Sequence, residues 1–299
     1  MSHMARRQIH QLVQQLPPFP DSTARLLATL HDAAHASSDV ARVVASDPAL
    51  TVRVLGAANS PGVGSLEPVN SVERAVSLLG ERTVVALAVE LAAGPVLSRK
   101  LDGYAAPEGT LLGHGLRTGI LARILAESQA PAVEPPVAFT AGLLLDVGKA
   151  LMSLVLGDRG EELVGHVARG EARDFLEAER RAFGVDHCEL GLEVASVWSL
   201  PSPLAAAIGH HHRPGEAPEV HRRLVAVTHV ADVLARTMSS SGLDAMAYRL
   251  DLEAAALLSL DAATALHVVS EAHVEFEAVG RALEFPFPGA GGSGEAERS

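Results

Sequence analysis

The stretch Gly142-Leu143-Leu144-Leu145-Asp146-Val147-Gly148-Lys149 sets one carboxylate and one ammonium into an otherwise apolar run. The run belongs to a helix predicted from Pro136 to Leu156, which starts after the break at Pro131 and Pro135-Pro136. A charge in such a segment needs partners, and neighbouring histidines or Lys149 can supply charge-assisted hydrogen bonds to Asp146. Leu145, directly before the aspartate, carries no donor atom and cannot hold a metal.

Outward from this stretch the composition points to helices. The chain has 299 residues and is 48% hydrophobic, enough for one large core or two modest ones. Aromatic residues make up only 3%, while Ala, Leu and Val dominate, which favours closely packed helices over a sheet sandwich. The formal net charge is −12 with Lys and Arg scattered, so the field of the molecule repels phosphate backbones and nucleic acid is excluded as a partner. A single cysteine, Cys188, rules out an intramolecular disulfide and fits a reducing compartment. Arg, Glu, Pro or Gly interrupts every apolar run, and the N-terminus lacks a hydrophobic signal core; no membrane span is expected and the location read from the sequence is cytoplasmic. Met1-Ser2-His3-Met4 resembles a vector remnant.

Helix punctuation recurs along the chain. Leu16-Pro17-Pro18-Phe19-Pro20 stops a first polar helix, and Leu26, Leu27 and Leu30 then follow at helical spacing. Asp39 is placed to cap a short helix with Val40, Val43 and Val44 inside; Pro48 after Asp47 opens the next, which ends near Asn59-Ser60-Pro61-Gly62. Asn70 or Ser71 caps Val72 to Leu79, with Glu73 placed for a reciprocal bond, and Gly80 ends that helix. Further helices are predicted over Thr110 to Ser128, Arg159 to Arg169, Ala172 to Phe183, Asp186 to Trp198, Pro203 to His211, His221 to Thr237, and one or two over Leu252 to Val279. The expectation is an all-α, two-lobe helical bundle: an N-terminal lobe over residues 5–103, a second helical lobe over 104–287, and a disordered Gly- and Ser-rich tail over 288–299. No repeat and no period-2 run is present.

Fourteen histidines in an acidic chain prompt a search for a metal site. His10, His31, His35, His166, His221, His267 and His273 stand isolated and read as surface or packing residues. His114, His187 and the run His210-His211-His212 lie in or beside helices of the second half, and Asp146 and Asp232 are the matching carboxylates. A metal-dependent hydrolase needs imidazoles and carboxylates from several helices to converge, because activating water requires a fixed, partly open coordination shell. Spacing this wide leaves open whether they do; the His210 triplet equally suits a helix end where imidazolium meets the C-terminal dipole. Cys188 follows His187, and adjacent helical residues point different ways, so no nucleophile pair is expected.

Four segments in order resemble the N-terminal half of the HDOD family (HD-related output domain): Leu16-Pro17-Pro18-Phe19-Pro20, Ser46-Asp47-Pro48-Ala49-Leu50-Thr51, Ala58-Asn59-Ser60, and Val69 to Gly80. His114, Phe139 to Lys149, Gly184-Val185-Asp186-His187, Trp198-Ser199-Leu200-Pro201, His211-His212-Arg213-Pro214 and His229-Val230-Ala231-Asp232 are similar to the same family, so the likeness spans about residues 16 to 240. The resemblance implies the scaffold of the HD and HD-GYP phosphodiesterases with a metal site that is often incomplete. By that likeness His114 matches the first HD histidine, Asp146 the bridging aspartate, Asp232 the late aspartate, and Lys149 the lysine of the His-Asp motif; His187, His211 and His212 match the histidines of a second metal site. Leu145 stands where the motif has its histidine.

The resulting expectation is a non-catalytic signalling or scaffold protein, a pseudoenzyme with His114, Asp146, His187, His211, His212 and Asp232 as a vestigial metal site and no cofactor beyond a residual divalent ion. Its expected partners are signalling proteins, with a nucleotide second messenger such as cyclic di-GMP as a candidate ligand, and neither nucleic acid nor membrane. The competing enzyme reading is a metal-dependent phosphohydrolase of cyclic dinucleotides or nucleotides; a third is a nucleotide sensor without turnover.

Overall fold

The computed structural model describes residues 11–238 and 249–283, apart from 31, 33, 65, 66, 105, 130 and 131. The predicted tail over 288–299 lies outside the described residues. Helices follow in the order α1 (Asp21–Leu30), α2 (Ser37–Ala45), α3 (Pro48–Ala58), α4 (Val72–Leu97), α5 (Thr110–Glu127), α6 (Pro135–Leu144), α7 (Val147–Leu156), α8 (Gly160–Ala168), α9 (Phe175–Phe183), α10 (His187–Val197), α11 (Ser202–His210), α12 (Arg222–Thr237), α13 (Leu252–Leu257) and α14 (Ala262–Leu283). Among the described residues β-pairing amounts to one isolated bridge, Leu101 to Ala106.

Local chemistry sets the starts and stops. Asp47 accepts from the backbone N–H groups of Ala49 and Leu50 and Pro48 opens α3, as its sequence predicts. Asn59 closes that helix, then brackets Val69 by donating to its carbonyl and accepting from its N–H, each at 2.8 Å. Ser71 caps α4 through the Arg74 N–H. Asp186 forms a reciprocal box with Glu189 at the start of α10.

Three expectations need correction, and a fourth holds with an addition. Asp39 is not the cap of α2; it sits two residues inside and its carboxylate accepts from the Ala36 N–H. Gly80, at φ 75° and ψ 155°, does end the helix that starts at Val72, as predicted, and a second helix follows it directly through Leu97, so α4 is two helices joined at a kink. The helix expected from Ala172 begins at Phe175, where Asp174 accepts from the Glu177 N–H. The single helix expected from Pro136 to Leu156 is two helices, because Asp146 adopts φ −99° and ψ 17° between them.

That last segment, Pro135–Leu156, has the length and mean hydropathy (1.7) of a membrane span, contrary to the expectation that no run qualifies. Its most apolar window is 89% buried inside the protein and the segment is divided at Asp146, so it is two successive core helices that pass the same test.

One apolar core runs continuously from Val13 to Leu283. Among the contacts that tie the first and second halves, two are notable. The Trp198 indole donates to the Pro17 carbonyl at 3.0 Å and packs on Phe19 with centroids 5.1 Å apart. Arg53 bridges Glu90 and the Leu283 carbonyl at the end of α14. A shallow apolar groove remains between the halves, lined by Leu27, Leu30, Pro136, Val137, Pro203 and Leu204.

Candidate functional site

The break at Asp146 is what builds the site. Asp146 occupies the position before α7 yet gives that helix no side-chain cap; its carboxylate turns inward instead. Two glycines bring other helices within reach. A Cβ on Gly142 would stand 2.7 Å from the Gly119 amide nitrogen, so α5 and α6 cross at backbone contact and carry His114 to Asp146. A Cβ on Gly148 would stand 1.9 Å from the His187 carbonyl oxygen, so α7 and α10 touch and place His187 beside the same carboxylate.

All six predicted residues converge. His114 Nε2 lies 2.8 Å from Asp232 Oδ1 and 3.6 Å from Asp146 Oδ2. His187 Nε2 and His211 Nε2 lie 3.7 and 3.3 Å from Asp146 Oδ1. His212 packs its ring against both, with centroids 4.1 Å from His211 and 5.2 Å from His187. His210, first of the triplet, stays half-buried at the end of α11 and outside the cluster. Leu145 is 1% exposed and belongs to the apolar core.

Several members of the site escape the sequence reading. Glu179 in the middle of α9 accepts from the His187 backbone N–H at 2.8 Å and pairs with His187 Nδ1 at 2.9 Å, and Tyr104 donates its hydroxyl to the same carboxylate. Cys188 does face the cluster, with its sulfur 3.9 Å from His211 Nδ1, because His211 comes from a different helix end and reaches over α10. His229 holds His211 from behind. The Asp251 N–H donates to His229 Nε2 at 2.8 Å, which fixes the proton on Nδ1, and Nδ1 donates to the His211 carbonyl at 2.7 Å. Arg236 contacts both Asp232 oxygens at 2.8 and 3.1 Å. Its signal was available: Asp232 and Arg236 stand four apart on a predicted helix.

Burial and these partners set the protonation states. Burial alone would raise the Asp146 carboxyl, but the Lys149 ammonium at 3.0 Å and the His211 imidazole hold it well below the usual carboxylate range. Asp232 is lowered for the same reason against its own burial, chiefly by Arg236. Burial opposes charge on His187 and His211, yet Glu179 raises the former well above 6.5, and Cys188 and Asp146 push the latter up to about 10. His212 is driven well below 6.5 by burial and by the His211 charge, so it is neutral.

The site divides into two halves that treat a cation differently. Around Asp146 Oδ1, the His211 Nδ1 faces the Ile208 carbonyl at 3.0 Å, a group that only accepts, so Nδ1 carries a proton. Its Nε2 then directs either a lone pair or a second proton at Asp146 Oδ1, and neither of these two buried atoms completes a hydrogen bond. Beside it His187, Cys188, His211 and His212 each offer a donor atom within 4.8 Å of the others, a group that could hold a divalent ion, with Glu179 and the Ile208 carbonyl orienting the rings. Around Asp232, by contrast, His114 and Arg236 already occupy both carboxylate oxygens.

A helical scaffold that folds a carboxylate, several imidazoles and a lysine from separate helices onto one buried point defines an HD-type protein. The chain belongs to the HDOD domain family, which its sequence matches over residues 16–214. It is similar to a crystal structure of an HDOD domain protein of unknown function from Geobacter sulfurreducens, at 26% identity and TM-score 0.63, covering 93% of this chain and 97% of that one. A protein from Marinobacter aquaeolei provisionally described as a signal transduction protein shares the fold at 22% identity and TM-score 0.71, over 93% of this chain and 65% of that one. Another, from Shewanella amazonensis and provisionally named a phosphohydrolase, does so at 24% identity and TM-score 0.63, over 92% and 97%. An uncharacterized protein of Treponema pallidum is 23% identical over 75% of this chain, which spans only 43% of that relative.

Proposed function

We propose that this HDOD protein is a non-catalytic signalling module that acts in the cytoplasm by binding partner proteins, with its His/Asp centre kept as a structural polar cluster. The observation that carries this reading is Leu145: a fully buried isobutyl group stands where the family motif supplies an imidazole, so the shell around the bridging aspartate lacks a ligand. Losing even an outer-shell partner costs roughly 10–100-fold in metal affinity or activity, and loss of a ligand costs at least as much. The test uses tag-free protein with manganese, iron or magnesium, and cyclic di-GMP, nucleotides or a generic phosphodiester as substrate. No turnover is expected. Metal-dependent hydrolysis that Asp146→Ala abolishes would overturn the reading.

One observation favours a second reading, a single-ion phosphohydrolase: the uncompleted atoms Asp146 Oδ1 and His211 Nε2 face each other at 3.3 Å. A lone ion held by Asp146, His187, His211 and His212 would act there as a Lewis acid. The same assay decides between the two.

A further inference from the structure

The two carboxylates of the centre lie 3% and 0% exposed, so each must be neutralised inside the protein. How Asp232 is neutralised says what its half of the centre can hold. His114, Asp146 and Asp232 offer one ligand atom each within 4.8 Å of one another, the arrangement from which a cation would be bound. Yet Asp232 Oδ1 already receives both His114 Nε2 and an Arg236 nitrogen, and Oδ2 receives the same guanidinium. Asp146 Oδ2 is taken by Lys149 at 3.0 Å, with Arg236 a further contact at 4.0 Å. In a loaded site His114 and Asp232 would both face the ion; here they face each other.

An arginine four residues after an aspartate is an ordinary pairing on a helix surface, where it means little. This pair is different in its burial. The Arg236 side chain is 7% exposed and Asp232 is 0%, so the guanidinium sits among the would-be ligands and water cannot replace it. Guanidinium also carries its charge at every working pH and matches the planar carboxylate.

We propose that Arg236 is the resident cation of this half of the centre: its guanidinium stands where His114, Asp146 and Asp232 would otherwise hold a divalent ion, and it closes that half to metal. The inference deepens the non-catalytic reading and rests on it only in part, because the Asp146, His187 and His211 half is left open by it.

The experiment replaces the internal cation and supplies an external one. Tag-free parent, Arg236→Ala and Arg236→Ala/Asp232→Asn are stripped with EDTA, melted with and without manganese, and assayed for bound manganese. Arg236→Ala should melt about 5–10 °C below the parent in EDTA, as expected for a buried carboxylate that loses its guanidinium and keeps only His114. Manganese should restore the loss, and the variant should bind one more equivalent than the parent. In Arg236→Ala/Asp232→Asn, where the carboxylate is removed as well, the extra equivalent should vanish. An Arg236→Ala variant as stable as the parent in EDTA, or one that binds no more manganese, overturns the proposal. If that variant does not fold in EDTA, it is refolded with manganese or with millimolar methylguanidinium, and folding in neither also overturns it. Hydrolysis by the parent would defeat the non-catalytic reading while leaving the manganese count to judge Arg236 independently.

Discussion

Exchanging an imidazole for an isobutyl group at position 145 changes what the neighbouring carboxylate needs as well as what the position can bind. Leu145 is among the largest fully buried side chains and packs with the core, so Leu145→Ala should cost about 2–5 kcal/mol, the range for emptying a buried leucine site. Urea unfolding at unchanged slope reads this directly, and a change below about 1 kcal/mol would show a position that carries no packing. A second residue-scale prediction concerns His35, far from the centre. Its Nε2 pairs with Glu81 at 3.0 Å, and this bond, with the Asp32 carbonyl on Nδ1, raises the imidazole above its ordinary 6.5 against the effect of burial. A raised folded-state value means the stabilisation is complete below about pH 6.5 and fades as pH rises through the folded pKa. The stability gap between parent and His35→Asn should therefore be widest in mild acid and close toward alkaline pH; a gap that widens with pH would refute it. At this scale the sequence was informative about ligand types and silent about their supports. Arg236 could be found only from its spacing of four to Asp232, and nothing in the sequence marks Glu179, which tertiary proximity alone brings to His187.

Most helices were legible because their ends carry local chemistry: Asp47 with Pro48, Ser71, and the Asp186–Glu189 box act within four residues of themselves. The break at Asp146 was not legible. Helical periodicity runs unbroken through Gly142 to Lys149, and what interrupts it is the demand of a buried carboxylate for partners on four other helices. The close crossings that meet this demand depend on glycine, and Gly148 is the most exacting. With a Cβ at 1.9 Å from a backbone oxygen, no side-chain rotation relieves the clash, so α7 and α10 must separate. Gly148→Ala should destabilise the protein by about 3 kcal/mol or more, at or beyond the usual range for overpacking. A melting temperature equal to the parent's would mean the two helices cross less closely.

At the scale of the whole molecule, the N-terminal and C-terminal halves read from the sequence as successive lobes, yet the apolar core passes from one to the other and the last helix returns to the first half through Arg53 and Leu283. Two lobes that share a core should unfold together, since neither buries its inner face alone. The protein supplies its own probe of this. Trp198 is the single tryptophan, is 3% exposed, and sits on the seam, with its indole bonded to the Pro17 carbonyl and its ring on Phe19. Its fluorescence reports the joint between the halves, while circular dichroism at helical wavelengths reports all helices at once. In urea the two signals should trace one transition with one midpoint. Phe19→Ala should lower both midpoints together, by an amount equivalent to about 3–5 kcal/mol of stability for a buried aromatic. A Trp198 transition that precedes the loss of helix, or a Phe19→Ala shift seen by fluorescence alone, would mean that the halves part before they unfold and that the groove between them opens as a hinge.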